Sequence, residues 1–294
     1  MRKTLNGCRG VLCVLVLLVP VGRATALDLD VHFAVGTYLE VSQTSTNGNW
    51  DEAYPTYLDP TLDGGFVDQH ASTQDFFCGL TTIAGDFTSG SYPTTVRLLQ
   101  DSEEWRLYVD ARNWVSATAR CVPFTSFVGY APRWLQIRGD VDKGNWLWPD
   151  SCLSTWTGVS GGFDGGGESA GIWPYSASNP SPWTQVSFKV VRNAMGQAAS
   201  NPNDAWGNSF YLGGDPGKRY WWGRYHWAQG WSSVRMLPVN DTFCFLAAMG
   251  GKFRGGGEAV QVVRGSDDYW YLTGQSMQVG VWAEAECLSY RSQW

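Results

Sequence analysis

The sequence predicts an all-β protein built from internally repeated, disulfide-stapled modules, arranged as a compact multi-sheet body of sandwich or prism form. Three observations predict this fold class. Short runs of β-branched and aromatic residues are separated by Gly, Asn, Asp and Ser, and few segments show helical spacing of apolar residues. The chain contains 35 Gly and 17 Trp, whereas charged residues make up 16% of it, a composition that favours turns and aromatic cores. Finally, cysteines recur at a matched spacing.

The repeated unit is visible when residues 76–121 are placed over residues 242–287 with a constant shift of 166 positions. Trp105 and Leu107 also match Trp270 and Leu272 if one residue is dropped. We interpret the match as an internal duplication. The residues identical without a gap are Phe77, Cys78, Leu80, Gly85, Phe87, Gly90, Val96, Asp101, Val115, Ala117, Ala119 and Cys121.

A third, degraded copy lies between these two. Cys152, the segment Gly161-Gly162-Phe163 and the run Gly165-Gly166-Gly167-Glu168 follow the same order, but no closing cysteine occurs near residues 198–200. The sequence thus predicts six segments, which are a signal peptide over 1–26, an N-terminal β segment over 27–75, the first module over 76–121, the degraded module over 122–200, an aromatic-rich segment over 201–241 and the last module over 242–294.

The cysteines predict two disulfides. Cys78 with Cys121, and Cys244 with Cys287, pair within the two well-matched modules in an oxidising compartment. Cys152 is left over, and we interpret it as a buried thiol, with an intermolecular disulfide and self-association as the alternative. No Cys-x-x-Cys motif or Cys/His cluster accompanies these cysteines, so no metal site is predicted at them.

The N-terminus has the three parts of a secretory signal. Arg2, Lys3 and Arg9 precede a short apolar run over 11–21, and Ala24-Thr25-Ala26 supplies a cleavage pattern. The apolar run is shorter than the roughly 20 residues that span a bilayer, although a retained anchor is the alternative. We therefore expect a protein that is secreted, extracellular or on the outer cell surface, with the periplasm as a further compartment.

The charge of the mature chain argues against two partner classes. Removing the leader takes away four basic residues and no acidic one, so the formal net charge changes from −6 to −10. Nucleic acid and anionic membranes both reward a basic surface. We therefore expect neither as the main partner, and no later apolar stretch approaches spanning length.

The glycine-rich runs resemble phosphate-binding loops only superficially. No Lys-Ser/Thr follows the glycines and no helix start is evident, so we interpret them as turns that require positive φ angles. Glu168 and Glu258 end the two runs at equivalent positions. We expect no cofactor, with a calcium contact at these two glutamates as a weaker alternative.

Catalytic motifs are poorly supported by the sequence. Residues 158–162 match the Gly-x-Ser-x-Gly pattern, but a glycine run follows where a nucleophile elbow needs a helix. The histidines are His32, His70 and His226, so an enzyme would rely on carboxylates, as glycosidases do. The acids available for such chemistry are Glu103, Glu104, Asp164, Glu168, Asp267, Asp268 and Glu284.

The densest functional signal is the aromatic run 218–231. If residues 219–227 form a strand, Trp221, Tyr225 and Trp227 share one face, and the other carries aromatic, basic and imidazole groups. Flat aromatic rings stack on sugar C–H faces while nearby polar groups bind hydroxyls. Burial of the strip between sheets is an equal alternative. The ligand-binding residues that we predict are Tyr220, Trp222, Arg224, His226, Trp227 and Trp231.

These observations rank three functions. The first is a binding or adhesion protein that recognises a glycan or another cell-surface polymer, as lectins do, because repeated modules give several weak sites whose avidity adds. The second is an extracellular polysaccharide-acting enzyme, a glycoside hydrolase or a polysaccharide lyase. The third is a structural component of a coat or appendage, in which aromatic strips form subunit contacts.

Overall fold

The structure is a computed structural model that describes residues 39–45, 51–53, 56–57, 67–72, 75–87, 94–101, 104–127, 134–139, 152–176, 186–193, 205–211, 219–278 and 280–293. The predicted signal peptide, His32, Glu103 and Lys218 lie outside these residues. The side chains of Cys152, Tyr220, Trp221 and Trp222 also lie outside the described part, so the predictions that concern them remain predictions.

The described residues are almost entirely β-structure, which confirms the all-β part of the predicted fold class. Their only helical element is a short 3₁₀ turn over Phe124–Ser126. The strands, in chain order, are β1 (Leu39–Ser45), β2 (Asp51–Ala53), β3 (Thr56–Tyr57), β4 (Val67–His70), β5 (Phe76–Gly85), β6 (Thr95–Asp101), β7 (Glu104–Asp110), β8 (Val115–Pro123), β9 (Trp134–Gly139), β10 (Cys152–Ser160), β11 (Ser169–Ser176), β12 (Val186–Asn193), β13 (Ala205–Tyr211), β14 (Arg219–Ala228), β15 (Val234–Pro238), β16 (Thr242–Gly250), β17 (Ala259–Arg264), β18 (Tyr269–Gln275) and β19 (Trp282–Gln293).

These strands form three antiparallel sheets. The first has the order β15-β18-β17-β5-β8-β1-β3-β4, the second β2-β7-β6-β10-β13-β9 and the third β12-β11-β16-β19-β14. Each sheet contains the same five-strand pattern, in which a hairpin from elsewhere in the chain pairs with a central strand. The central strands are β5, β10 and β16, and each receives the hairpin that follows a different central strand. The three sheets are therefore interlocked by exchanged hairpins.

The chain turns identically after each central strand. Gly251 has a φ of +94°, and Gly85 and Gly161 have φ values of +117° and +109°. A side chain at Gly251 would also lie 2.1 Å from the Gly280 carbonyl oxygen, so glycine is required there. The glycine runs themselves only partly follow our expectation, since Gly255 has a φ of +123° but none of the glycines at 165–167 has a positive φ. The positive-φ turn that follows each central strand lies before the run, and a further turn lies within the run itself.

Three phenylalanines close the centre where these turns meet. The backbone N–H of Phe87 donates to the carbonyl of Phe253 (2.9 Å), that of Phe253 to Phe163 (2.9 Å), and that of Phe163 to Phe87 (3.1 Å). Their rings are fully buried. The ring centroids lie 5.8 to 6.1 Å apart in edge-to-face contacts. This cyclic arrangement places one residue of each central turn in a shared core.

Both predicted disulfides, Cys78–Cys121 and Cys244–Cys287, are present. In each pair the two cysteines lie directly opposite each other on adjacent antiparallel strands. Each closes a loop of 43 positions, which the chain-entropy model values at about 4 kcal/mol. Trp105 and Trp270 are buried beside these strands, and their indole N–H groups donate to the Phe76 and Thr242 carbonyls at 3.0 and 2.9 Å.

Candidate functional site

The candidate site lies on one face of the third sheet, where β14 pairs with β19. The register places Arg224 opposite Glu286, His226 opposite Glu284, and Ala228 opposite Trp282. Because side chains on a strand alternate between faces, these residues share one face. Trp227, together with Ala283 on the neighbouring strand, is buried in the core on the other face.

Arg224 organises the polar half of this face. Its Nε donates to Glu284 Oε2 (2.7 Å), Nη1 donates to Glu286 Oε1 (2.5 Å), and Nη2 donates to the carbonyl of Ile172 on β11 (2.9 Å). The Arg224 side chain is 17% exposed, that of Glu284 21%, and that of Glu286 3%. One guanidinium thus holds two carboxylates, one at the surface and one buried below it.

Burial changes the acidity of the deeper carboxylate. Desolvation raises the pKa of Glu286 to about 7, although the Arg224 cation opposes that rise. An acid whose pKa is higher in the folded than in the unfolded protein stabilises the fold below the unfolded pKa. That contribution disappears as pH rises through the folded pKa, here between about 4.5 and 7.

We expect Glu286→Gln to remove this pH dependence. The stability of the wild type relative to the variant should fall by about 3 kcal/mol between pH 4.5 and pH 8, at 1.36 kcal/mol per pKa unit. Urea unfolding of both proteins across this range measures the difference. Glu284→Gln, which changes the surface carboxylate, is the matched control. Parallel stability curves for wild type and Glu286→Gln would contradict the assignment.

The aromatic half of the face surrounds His226. The His226 ring lies 5.5 Å from the Trp231 ring in an edge-to-face contact and 5.8 Å from the Trp282 ring, at an interplanar angle of 31°. Trp231 is 57% exposed. The Trp282 ring lies against Gly250, where any side chain would clash with it at 2.4 Å. We name the four residues His226, Trp231, Trp282 and Glu284 the aromatic platform.

Trp231 is held in place although it lies in a turn. Its backbone N–H donates to the Ala228 carbonyl (3.0 Å), and its own carbonyl accepts the Trp227 indole N–H (3.2 Å). Gln229 joins this turn to the neighbouring one by accepting the Gly280 N–H (3.2 Å) and by donating to the Ser276 carbonyl (3.3 Å). The exposed indole is therefore presented on a fixed backbone.

The structure separates the residues that we predicted for ligand binding. Arg224, His226 and Trp231 lie together at the aromatic platform or beside it. Trp227 does not, because it is 2% exposed and packs into the core over Gly274. Trp227 is therefore a core residue, as the alternative of burial between sheets predicts. The positions of the Tyr220 and Trp222 side chains lie outside the described part, and the backbone register shifts between these two residues.

Sequence reasoning missed Trp282 and Glu286 as members of this face, although the signal was present. The alternation in residues 281–286 predicts that Trp282, Glu284 and Glu286 share one face. The sequence does not reveal which strand pairs with β19. The register of β14 against β19 decides which aromatic residues lie next to each other. Burial of Glu286 also departs from simple alternation, since Arg224 covers it.

The glutamates that end the glycine runs are both buried. Glu168 Oε2 accepts the Gly165 N–H at 3.1 Å, which closes its loop. Glu258 Oε2 has no hydrogen-bond donor within the described part of the chain. Across the same residues, no group of three or more His, Cys, Asp or Glu side chains is placed to hold a metal ion. The calcium alternative therefore gains no ligand set from these side chains.

The other catalytic motifs lack the surroundings they need. Ser160, at the centre of the Gly-x-Ser-x-Gly match, is 7% exposed and shares a hydrogen bond with the Thr95 hydroxyl at 2.8 Å. β10 ends at this serine and a turn follows it, so no nucleophile elbow forms. Among the described residues, no helix is long and apolar enough to cross a membrane.

Comparison with protein-family models, with curated proteins and with solved structures gave no match for this chain. The residues of the aromatic platform and their geometry are therefore the observations that bear on function.

Proposed function

We propose that this protein is a secreted or cell-surface, lectin-like binding protein whose ligand is a glycan. The observation that carries the proposal is the aromatic platform. An exposed tryptophan, Trp231, lies beside His226, whose ring also contacts Trp282 and borders Glu284. Sugar rings are recognised by this combination of flat apolar area and a few fixed polar groups.

Polar groups suited to sugar hydroxyls lie within reach of the rings. Glu284 accepts hydrogen bonds through a carboxylate that Arg224 fixes in place. His226 Nδ1 lies 3.7 Å from Glu284 Oε1, so an imidazole and a carboxylate edge lie side by side. The His226 side chain is 45% exposed. A hydroxyl-bearing ring over the indoles would therefore find both donors and acceptors at its rim.

The fold itself does not require this chemistry. The corresponding strands of the first sheet, β1 and β8, pair in the same pattern but carry hydroxyl groups on that face. Ser42 bonds to Thr118 at 2.8 Å, and Thr44 donates to Ser116 at 3.1 Å. Small hydroxyl side chains are sufficient for an exposed sheet face, so folding alone does not explain the aromatic rings of the third sheet.

Secretion and repetition complete the proposal. The predicted signal peptide and the two disulfides fit an oxidising compartment outside the cytoplasm. Three features support modules of common origin that are arranged as a three-sided prism. They are the matched disulfides, the equivalent indole hydrogen bonds of Trp105 and Trp270, and the cyclic backbone hydrogen bonds of the three central phenylalanines. Because the equivalent face of the first sheet carries hydroxyl groups, the aromatic platform is a feature of the third sheet's face.

We expect Trp231→Ala to reduce glycan binding at least tenfold. An aromatic contact contributes about 0.5–1.5 kcal/mol beyond the apolar area that it buries, and tenfold corresponds to 1.4 kcal/mol. The measurement is binding of the mature protein to immobilised cellohexaose, chitohexaose, mannohexaose and hexagalacturonate by surface plasmon resonance. Trp231→Tyr keeps a stacking ring and should retain most of the affinity.

Two controls make this test specific. Met277 is 87% exposed and carries no ring, so Met277→Ala should leave glycan binding unchanged. Thermal unfolding of each variant should match the wild type, because Trp231 is largely exposed. Wild-type affinity of folded Trp231→Ala for every oligosaccharide would overturn the proposal. Equal losses in Trp231→Ala and Met277→Ala would identify general hydrophobic adhesion instead.

A further inference from the structure

A second surface feature lies where the three central turns meet. An open cleft of about 570 Å³ is lined by Asp86, Asp164, Lys252, Arg254 and Gly255. These residues flank the buried ring of phenylalanines, because Asp86 precedes Phe87 and Asp164 follows Phe163. All three central turns therefore contribute to one cleft, which we name the axial cleft.

The axial cleft presents donors and acceptors side by side. Arg254 is paired with Asp164 and lies 3.5 Å from Asp86 Oδ1. Asp86 Oδ2 accepts a hydrogen bond from Asn113 at 2.7 Å, whereas Asp86 Oδ1 is buried without a hydrogen bond in the described part. Lys252 forms no ion pair with any described carboxylate. Its ammonium group is therefore available as a donor.

A second acceptor lies under the glycine run. Glu258 Oε2 is 3.2 Å from the position that a side chain on Gly255 would occupy, and no other heavy atom lies within 4 Å of that position. In the equivalent loop, the Gly165 N–H satisfies Glu168 Oε2. An unpaired carboxylate oxygen costs about 1–3 kcal/mol or more. This oxygen is buried, so it lies beneath Gly255 and is not exposed in the cleft.

An exposed indole borders the same loop. Trp114 is 40% exposed, and its ring lies 3.8 Å from the position that a side chain on Gly256 would take. The carbonyl of Trp114 lies over Gly85 just as that of Gly280 lies over Gly251. Gly280 of the last module thus occupies the position that Trp114 occupies in the first module. Because the equivalent turn forms with a glycine, folding alone does not explain the indole of Trp114.

We propose that the axial cleft is a second saccharide-binding site, in which a sugar ring stacks on Trp114 and its hydroxyls bond with Lys252, Arg254 and Asp164. The inference rests on the proposed function for its ligand class, but it uses none of the residues of the aromatic platform. Two sites on different surfaces of one chain would let the protein bridge neighbouring chains of a polysaccharide.

Counting bound oligosaccharides tests this site. Native mass spectrometry of the mature protein with cellohexaose, chitohexaose, mannohexaose and hexagalacturonate should show two binding events. Trp114→Ala and Lys252→Ala should each remove one event and leave the event that depends on Trp231. Trp231→Ala should leave the other. Trp114→Phe keeps a ring and should keep both events, which separates loss of stacking from loss of folding.

The outcomes distinguish the two proposals. One binding event that survives Trp114→Ala and disappears in Trp231→Ala overturns the axial site and leaves the aromatic platform intact. Binding lost in Trp114→Ala but unchanged in Trp231→Ala supports the axial site and overturns the platform. Wild-type protein that is folded and binds none of the four oligosaccharides overturns both.

Discussion

Phe253→Ala is expected to lower the free energy of unfolding by about 3–5 kcal/mol, the usual cost of truncating a buried phenylalanine. Phe253 is fully buried, and its ring contacts those of Phe87 and Phe163 at 6.1 and 6.0 Å. Each of the three rings comes from a different central turn. Removing one therefore leaves a cavity at the point where all three sheets join, a region that cannot collapse without moving the exchanged hairpins.

Chemical denaturation with guanidinium measures this loss. Phe253→Leu should cost less than Phe253→Ala, because it leaves a smaller cavity. The double variant Phe87→Ala/Phe253→Ala should lose less than the sum of the single losses, because the two rings contact each other. Met277→Ala, at an exposed position, is the control and should change stability by less than about 0.5 kcal/mol. A Phe253→Ala loss of that small size would contradict the central role of the ring.

The local elements of the last module follow closely from its sequence. The pattern of apolar residues between Gly and Asp-Asp turns predicts strands over 243–249, 259–263 and 269–273. The structure has Thr242–Gly250, Ala259–Arg264 and Tyr269–Gln275. Alternating apolar residues and Gly or Asp-Asp turns define these elements locally. The same pattern predicts a final strand over 279–287, and the described strand begins at Trp282, shortly after Gly280 with its φ of +73°.

The exchange of hairpins could not be predicted from the same patterns. β17 pairs with β5 of the first module, and β11 pairs with β16 of the last. An alternating strand presents the same backbone donors and apolar face to any antiparallel neighbour, so period-two patterning does not select a partner. The exchanged pairing brings one phenylalanine of each central turn to a shared centre, a long-range contact that no local pattern records. The site depends on it too, since Ile172 of β11 supplies the carbonyl that binds Arg224.

An ion pair of reversed polarity occurs on the first and third sheets. On the first sheet, Arg120 of β8 pairs with Glu40 of β1 and donates to the Val262 carbonyl at 3.0 Å. On the third, Glu286 takes the place of Arg120, and the arginine comes from β14. In both cases the guanidinium reaches a carbonyl of an exchanged hairpin. Position-by-position matching of the modules hides this relation, because it compares an arginine with a glutamate.

This reversal makes Arg224 the residue whose loss should matter most on the third sheet. Arg224→Met is expected to cost about 3–5 kcal/mol at pH 8, the typical loss when one member of a buried ion pair is removed. Glu286 would then be a buried carboxylate without its cation, and its pKa would rise further above the value of about 7 that it has beside Arg224. The stability loss should therefore shrink at pH 5, where the carboxyl group is protonated in both proteins.

The pH at which stability is lost identifies the cause. Urea unfolding of Arg224→Met at pH 5 and pH 8 should show the larger deficit at pH 8, and Arg224→Met/Glu286→Gln should recover much of it, because the uncompensated charge is gone. Arg224→Lys keeps the charge but not the three directed hydrogen bonds, so it should lie between the two. An Arg224→Met deficit that is equal at both pH values would mean that packing of the side chain, rather than its charge, holds β14 to β11 and β19.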